Sequence, residues 1–296
     1  MSPGVARLGG SNRRGGRPLP AKVNGIPVHY AEHGRGTPVL ALHGGGVDHR
    51  ELRGALEPLF ADRPGYRRLY PDLPGMGRTP APEEVDSTDA VLEVLLGLID
   101  AVVGGEPLLV VGHSSGAYLA RAIANRRPHQ VAGLALVCPL IGEEAADAAP
   151  PQHVVVHAAE DLEVDAALGP ELAAEYRAYL VVQTPETLRR FQETVAPGVA
   201  LADEAAMERM AARWQLRTPP EQGPPYPSPT LIVAGRQDAT VGYVGAWRLL
   251  DHYPRATFAV LDRAGHALPH EQVGLLGALV AEWLDRVAEH HARSDR

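Results

Sequence analysis

Residues 107–124 constrain the fold of this chain most. An uninterrupted apolar run, Pro107-Leu108-Leu109-Val110-Val111, meets Gly112-His113-Ser114-Ser115-Gly116 and then the helix-like segment Ala117-Tyr118-Leu119-Ala120-Arg121-Ala122-Ile123-Ala124. The run lacks polar alternation and is rich in Val and Leu, as expected for a strand covered on both faces. The helical pattern follows at once, so the turn between them must be sharp. G-x-S-x-G in this setting strains the backbone of the serine at its apex and lifts the hydroxyl above the sheet. The flanking glycines remove side chains that would meet the neighbouring strand and helix. The pattern alone is a weak signal, because Gly and Ser are common in turns. The strand before it and the helix after it make Ser114 a candidate nucleophile.

A serine hydroxyl is a poor nucleophile at neutral pH. It needs a base, a group that orients the base, and donors that hold the oxyanion. His266 is the candidate base, because it follows the strand-like run at 257–262 and the loop Arg263-Ala264-Gly265. Among the thirteen histidines, His129, His252, His290 and His291 read as surface residues near helix ends. His270 reads as the start of a last helix running from about Glu271 to His291. Asp238 is the candidate orienting acid, at the end of the turn Gly235-Arg236-Gln237-Asp238. It either accepts the Nδ1 proton of His266 or caps a helix starting near Val241, two roles that compete for the same oxygens. Asp262 and Glu271 are the fallback acids, each close to His266 in sequence. The oxyanion donors are assigned to the N–H groups of Gly45, within His43-Gly44-Gly45-Gly46, and of Ser115.

Strand-like runs recur at about 38–43, 67–72, 107–113, 131–137, 230–235 and 256–262, after a hairpin at about 21–32 whose turn is Asn24-Gly25. Helical patterns alternate with them. One is capped by Ser87 and Thr88 and carries Val91, Leu95, Ile99 and Val102. The alternation predicts an α/β fold with a doubly wound, mostly parallel sheet of about eight strands. The candidate site residues fall at the C-terminal ends of strands, where such sheets place their sites. The core is read as residues 21–139 and 230–296. Between them, 140–229 reads as mainly helical and closes with a Pro-rich stretch, 218–229, that predicts a stiff linker. Tyr176, Tyr179, Phe191 and Trp214 are aromatic residues of the helical part of this insertion. They line a substrate pocket or form the insertion's own small core. His153 and His157 flank the apolar run Val154–Val156 and receive no role from the sequence. Residues 1–20 read as a disordered tail rich in Gly, Arg and Pro, without the apolar region of a secretory signal.

The order oxyanion loop, Ser, Asp, His is that of the α/β-hydrolase superfamily. Asp72-Leu73-Pro74-Gly75-Met76-Gly77 matches the D-x-P-G-x-G segment that the family often carries after its fourth strand. The chain resembles this superfamily from about Val23 to His291, in its serine-nucleophile, capped, esterase- and lipase-like branch. The resemblance implies an α/β-hydrolase fold with a helical cap at 140–229. It also implies hydrolysis of an ester, lactone or thioester of a small molecule through an acyl-enzyme on Ser114, with no cofactor and no metal. Carbon–carbon bond hydrolysis, acyl transfer and non-hydrolytic lyase chemistry use the same groups and stay open. So does a receptor-like protein that binds a ligand with little turnover. A serine at the elbow speaks against epoxide hydrolases and haloalkane dehalogenases, which use aspartate there. Val47-Asp48 follows Gly46, whereas proline iminopeptidases carry a proline in this motif.

The net charge of −8 argues against nucleic acid as a partner. No apolar stretch reaches the roughly 18 residues of a membrane span, and no Cys/His cluster has zinc-ligand spacing. The single cysteine, Cys138, reads as a buried small hydrophobe. A cytoplasmic protein acting on a small-molecule substrate is expected.

Overall fold

The computed structural model describes residues 18–142 and 149–294. It opens with an antiparallel hairpin of β1 (Pro18–Val23) and β2 (Ile26–Gly34). Asn24 and Gly25 join them with φ of 49° and 89°, the left-handed pair that a two-residue hairpin turn requires. Residues 18–20, expected in the tail, are therefore strand. Residues 1–17 lie outside the described residues.

Alternation of strand and helix follows, as β3 (Thr37–Leu42), α1 (Arg50–Phe60), β4 (Tyr66–Pro71), α2 (Thr88–Val102), β5 (Leu108–His113), α3 (Ser115–Arg126) and β6 (Val131–Val137). After a helical insertion come β7 (Thr230–Gly235) and β8 (Ala256–Leu261). These strands form one sheet in the order β1-β2-β4-β3-β5-β6-β7-β8. The β1–β2 and β2–β4 pairs are antiparallel and the rest parallel. The chain leaves β3 toward β4 on one side and returns to β3's other side as β5. The connections leaving β3 and β5 thus diverge, and a crevice opens above their C-terminal ends. The Gly44–Gly46 loop and Ser114 lie at that crevice.

Successive side chains of a strand point to opposite faces, and the core divides accordingly. Leu40, Leu42, Val110, Leu134, Leu136 and Ile232 pack on the side of α2 and α3. Val39, Ala41, Leu109, Val111, Val137 and Val233 pack on the other side, with Leu52 and Leu56 of α1 and Trp283 of the C-terminal helix. The Ser87 hydroxyl caps α2, accepting from the Ala90 N–H.

The insertion contains α4 (Val164–Leu168), α5 (Pro170–Tyr179), α6 (Pro185–Arg190), α7 (Ala196–Val199) and α8 (Glu204–Ala211), with a π-helical turn at Phe191–Val195. His157–Ala158 pairs with Val182–Gln183 as a two-residue parallel bridge. His153 and His157 are exposed and lie outside the site. The Pro-rich stretch is fastened to the core. Glu221 pairs with buried Arg121 at 2.5 Å, and the Tyr226 hydroxyl donates to the Val131 carbonyl at 2.8 Å. After β7 the helix expected near Val241 begins later, as α9 (Val244–Arg248). The last helix is divided into α10 (Leu268–Glu271) and α11 (Val273–Ser294).

Candidate active site

Ser114 joins β5 to α3 with φ 53° and ψ −121°. This conformation is strained for a residue with a Cβ and persists only where the surroundings enforce it. Here they do. The Ser114 N–H donates to the Val137 carbonyl at 3.0 Å, and its own carbonyl accepts from the N–H groups of Ala117, Tyr118 and Leu140 at 3.0–3.2 Å. A Cβ on Gly112 would lie 2.4 Å from the Gly116 carbonyl oxygen, and one on Gly116 would lie 2.2 Å from that of Leu42. The close approach of α3 to β3 and β5 therefore admits only glycine at both positions.

His266, in the loop after β8, places Nε2 2.9 Å from Ser114 Oγ and Nδ1 2.8 Å from Asp238 Oδ2. Because a carboxylate only accepts, Nδ1 carries the proton and the Nε2 lone pair faces the serine hydroxyl. The two roles anticipated for Asp238 do not compete after all. Oδ2 takes His266, while Oδ1 accepts the N–H groups of Thr240 and Val241, both at 2.9 Å. Burial pushes the Asp238 carboxyl up, but His266 and those two N–H groups outweigh it, and the group titrates below the ordinary range. The fallback acids point elsewhere. Asp262 is exposed and contacts Gln237. Glu271 accepts from the N–H groups of Val181, Val182 and Gly265 at 2.6–3.0 Å. Cys138 is buried beneath the same loop, with Sγ 3.7 Å from the Gly265 carbonyl.

The loop after β3 is held at both ends of the Gly44 peptide unit. His43 Nε2 accepts from the Leu73 N–H at 2.9 Å, which leaves its Nδ1–H to donate to the Gly44 carbonyl at 2.7 Å. The Gly44 N–H donates to Glu51 Oε2 at 2.8 Å. Asp72, the aspartate of D-x-P-G-x-G, secures the adjacent loop. It accepts from His29 and His49 Nδ1 at 2.8 and 2.7 Å and from the Arg78 N–H at 3.0 Å. Gly45 adjoins Ser115, whose Oγ lies 3.5 Å from where a Gly45 Cβ would be.

Two cavities meet at Gly45. One, of about 260 Å³, is lined by Ser114, His266, His113, Glu51, Glu175 and Tyr179 among others. The second, of about 180 Å³, is almost wholly apolar and is lined by Ser115, Leu73, Tyr118, Met207, Met210 and Trp214 among others. Among the described residues, no Lys or Arg lines either. Tyr179 lies edge-on to the His266 ring, with centroids 6.3 Å apart, and Trp214 walls the apolar cavity. Tyr176 does neither. It is fully buried in the insertion's own core, with its hydroxyl on Thr187 Oγ1 at 3.0 Å. Phe191 belongs to that core and also reaches the polar cavity.

Sequence reasoning missed Glu51, Met207 and Met210. A glutamate in the first turn of a helix reads as a solvated dipole partner, yet Glu51 is 1% exposed and pairs with His113 Nδ1 at 2.9 Å. His270, read from the sequence only as the start of the last helix, is buried beside Tyr179, and burial pushes its ring down to about 4. His29, His49 and Asp72 are close enough to bracket an ion, but the Nδ1 of each imidazole donates directly to the carboxylate.

This sheet and crevice define a class, and the comparisons identify it. Residues 39–275 match the alpha/beta hydrolase family, and the chain belongs to it. A solved alpha/beta superfamily hydrolase from Oenococcus oeni superposes with a TM-score of 0.84 at 27% identity, covering 92% of this chain and 99% of that one. A 2-hydroxy-6-oxononadienedioate/2-hydroxy-6-oxononatrienedioate hydrolase of Pseudomonas putida is 27% identical over 88% of this chain and 92% of its own length. A pimeloyl-[acyl-carrier protein] methyl ester esterase of Shewanella woodyi is 26% identical over 88% and 98%. An epoxide hydrolase of Siraitia grosvenorii is 39% identical, but over 38% of this chain and 35% of that protein. The protein is thus a member of a hydrolase family. No helix among the described residues is long and apolar enough to cross a membrane.

Proposed function

We propose that the protein is a serine hydrolase that cleaves an uncharged ester, lactone or thioester of a small molecule through an acyl-enzyme. The observation that carries this reading is the continuous hydrogen-bond chain Ser114 Oγ–His266 Nε2 and His266 Nδ1–Asp238 Oδ2, at 2.9 and 2.8 Å, beneath the junction of two cavities. His266 Nε2 takes the Ser114 proton as Oγ attacks the carbonyl carbon. The N–H groups of Gly45 and Ser115 hold the oxyanion. His266 then returns the proton to the leaving group, and in a second round it activates water to release the acid. Asp238 holds the ring in the required tautomer. The insertion serves as a cap whose Tyr179, Met207, Met210 and Trp214 wall the substrate site.

The cavities bear on the substrate. An apolar cavity of about 150 Å³ admits benzene, so the 180 Å³ cavity suits an apolar group of about six carbons. The other cavity carries the carboxylates of Glu51 and Glu175 and, among the described residues, no Lys or Arg. A dicarboxylate, of the kind that the Pseudomonas putida relative's name denotes, would find no Lys or Arg to pair with there, and His113 is already paired with Glu51. This favours an uncharged ester over carbon–carbon cleavage of a diacid.

The test is hydrolysis of p-nitrophenyl esters from acetate to decanoate by the parent protein and Ser114→Ala, with fluorophosphonate labelling alongside. Turnover is expected to peak near six acyl carbons and to fall by at least about 10⁴-fold in Ser114→Ala. Comparable turnover in that variant would sink the nucleophile assignment. Absence of both turnover and labelling would favour a binding protein.

A further inference from the structure

We propose that Glu51 and His113 form a charged pair that positions the Gly44–Gly45 turn and the His266 loop as one unit, which makes Glu51 a positioning residue for the reaction. This rests on the reading of Ser114 and His266 given above.

His113 is the residue just before Ser114 and is 1% exposed. Both of its ring nitrogens face acceptors. Nδ1 lies 2.9 Å from Glu51 Oε1, and Nε2 lies 3.0 Å from the main-chain carbonyl of His266. A carbonyl oxygen can only accept, so Nε2 carries a proton. The second proton of the pair then sits on His113 Nδ1 or on Glu51. Glu51 Oε2 already accepts the Gly44 N–H at 2.8 Å, a donor that favours the carboxylate. The titratable and charged groups facing the pair are His43, Tyr179, His270, Asp238, His266 and, beyond His270, Arg190. Burial disfavours charge on both partners. Even so, their mutual attraction and hydrogen bond draw the Glu51 carboxyl down to about 2 and raise the His113 ring, with Asp238 adding to the latter. His270 is held neutral by burial and supplies no competing cation. The resident form is carboxylate and imidazolium.

The pair ties together loops from separate strands. Glu51 stands at the start of α1, seven residues after Gly44, and fixes the Gly44 N–H next to the proposed oxyanion donor Gly45. His113 is anchored in β5 and fixes the carbonyl of His266, whose ring centroid lies 4.9 Å from its own. A Cβ at Gly44 would come within 3.0 Å of His113 Nδ1, so the turn rests directly on the pair. A buried ion pair adds little stability over apolar side chains of similar size. Registration of the two loops is what this one supplies and a hydrophobic pair could not.

The test has two arms on the full chain. In the parent protein, labelled with ¹⁵N-histidine and with His113 assigned through its backbone, both ring N–H protons of His113 are expected from pH 6 to 8. In Glu51→Gln, with active sites counted by fluorophosphonate, kcat is expected to fall about 10- to 100-fold while KM changes less than about 3-fold. An alkyl boronic acid, which mimics the tetrahedral intermediate, should weaken by the same factor as kcat. A His113 ring with one N–H proton at neutral pH overturns the proposal, and that measurement stands even if the variant does not fold. So does parent-like kcat per labelled site. Failure of the parent itself to label would defeat the reading of Ser114 instead, which separates the two.

Discussion

Asp238 shows how one side chain reconciles two demands. Its Oδ1 organises the turn through Thr240 and Val241, and its Oδ2 holds His266. A carboxylate has enough lone pairs for both. In Asp238→Asn the amide nitrogen would have to face either the two N–H donors or the ring. The His266 tautomer would be lost, and kcat should drop about 10⁴-fold by analogy with serine proteases. Asp262→Asn, at an exposed residue facing away from His266, should keep activity within about 2-fold. Steady-state kinetics of the two variants side by side checks both. A larger loss from Asp262→Asn would overturn the assignment of the acid.

At the scale of elements, the elbow and the insertion make different demands. The elbow needs α3 to touch the ends of β3 and β5. Gly116→Ala would drive a methyl group to 2.2 Å from the Leu42 carbonyl oxygen, and neither backbone can yield. Destabilisation of about 3 kcal/mol or more is expected, read as a lowered urea midpoint. The insertion instead shapes space. Met207 and Met210 on α8 and Trp214 just beyond it wall the apolar cavity. Trp214→Ala should enlarge that cavity and move the acyl-chain optimum to longer esters by two or more carbons. An unchanged optimum would place the acyl group in the other cavity. Glycines and strand ends announce the elbow in the sequence, because their spacing is local. The lining of the cavity is not announced, because α8 meets Leu73 and Tyr118 only after the insertion folds back over the sheet.

Across the whole molecule, several buried carboxylates are ionised and hydrogen-bonded in the native state. Asp72 and Asp238 titrate below their ordinary 3.8, and Glu51 falls from 4.5 to about 2. A depressed native pKa contributes stability above the unfolded value and loses it as pH falls through the native one. Below about pH 4, where these groups dominate, the urea midpoint should therefore decline steadily toward pH 2. A level midpoint down to pH 3 would contradict the burial of these groups as charges. The sequence by itself determined the alternating strands and helices, the eight-strand sheet, the sharp turn at Ser114, and Asp238 and His266 as partners to look for. All of these follow from short-range patterns of apolar runs, glycines and turn residues. Even there its limits were local ones, since the first strand reaches back to Pro18 and the last helix breaks at Gln272. Tertiary structure alone decided which of three acids faces His266, that Tyr176 serves the insertion's core while Tyr179 reaches the site, and that Glu51 is buried against His113. Those outcomes depend on contacts between residues far apart in the chain, where the direction of a side chain is set by the packing of whole elements rather than by its neighbours in sequence.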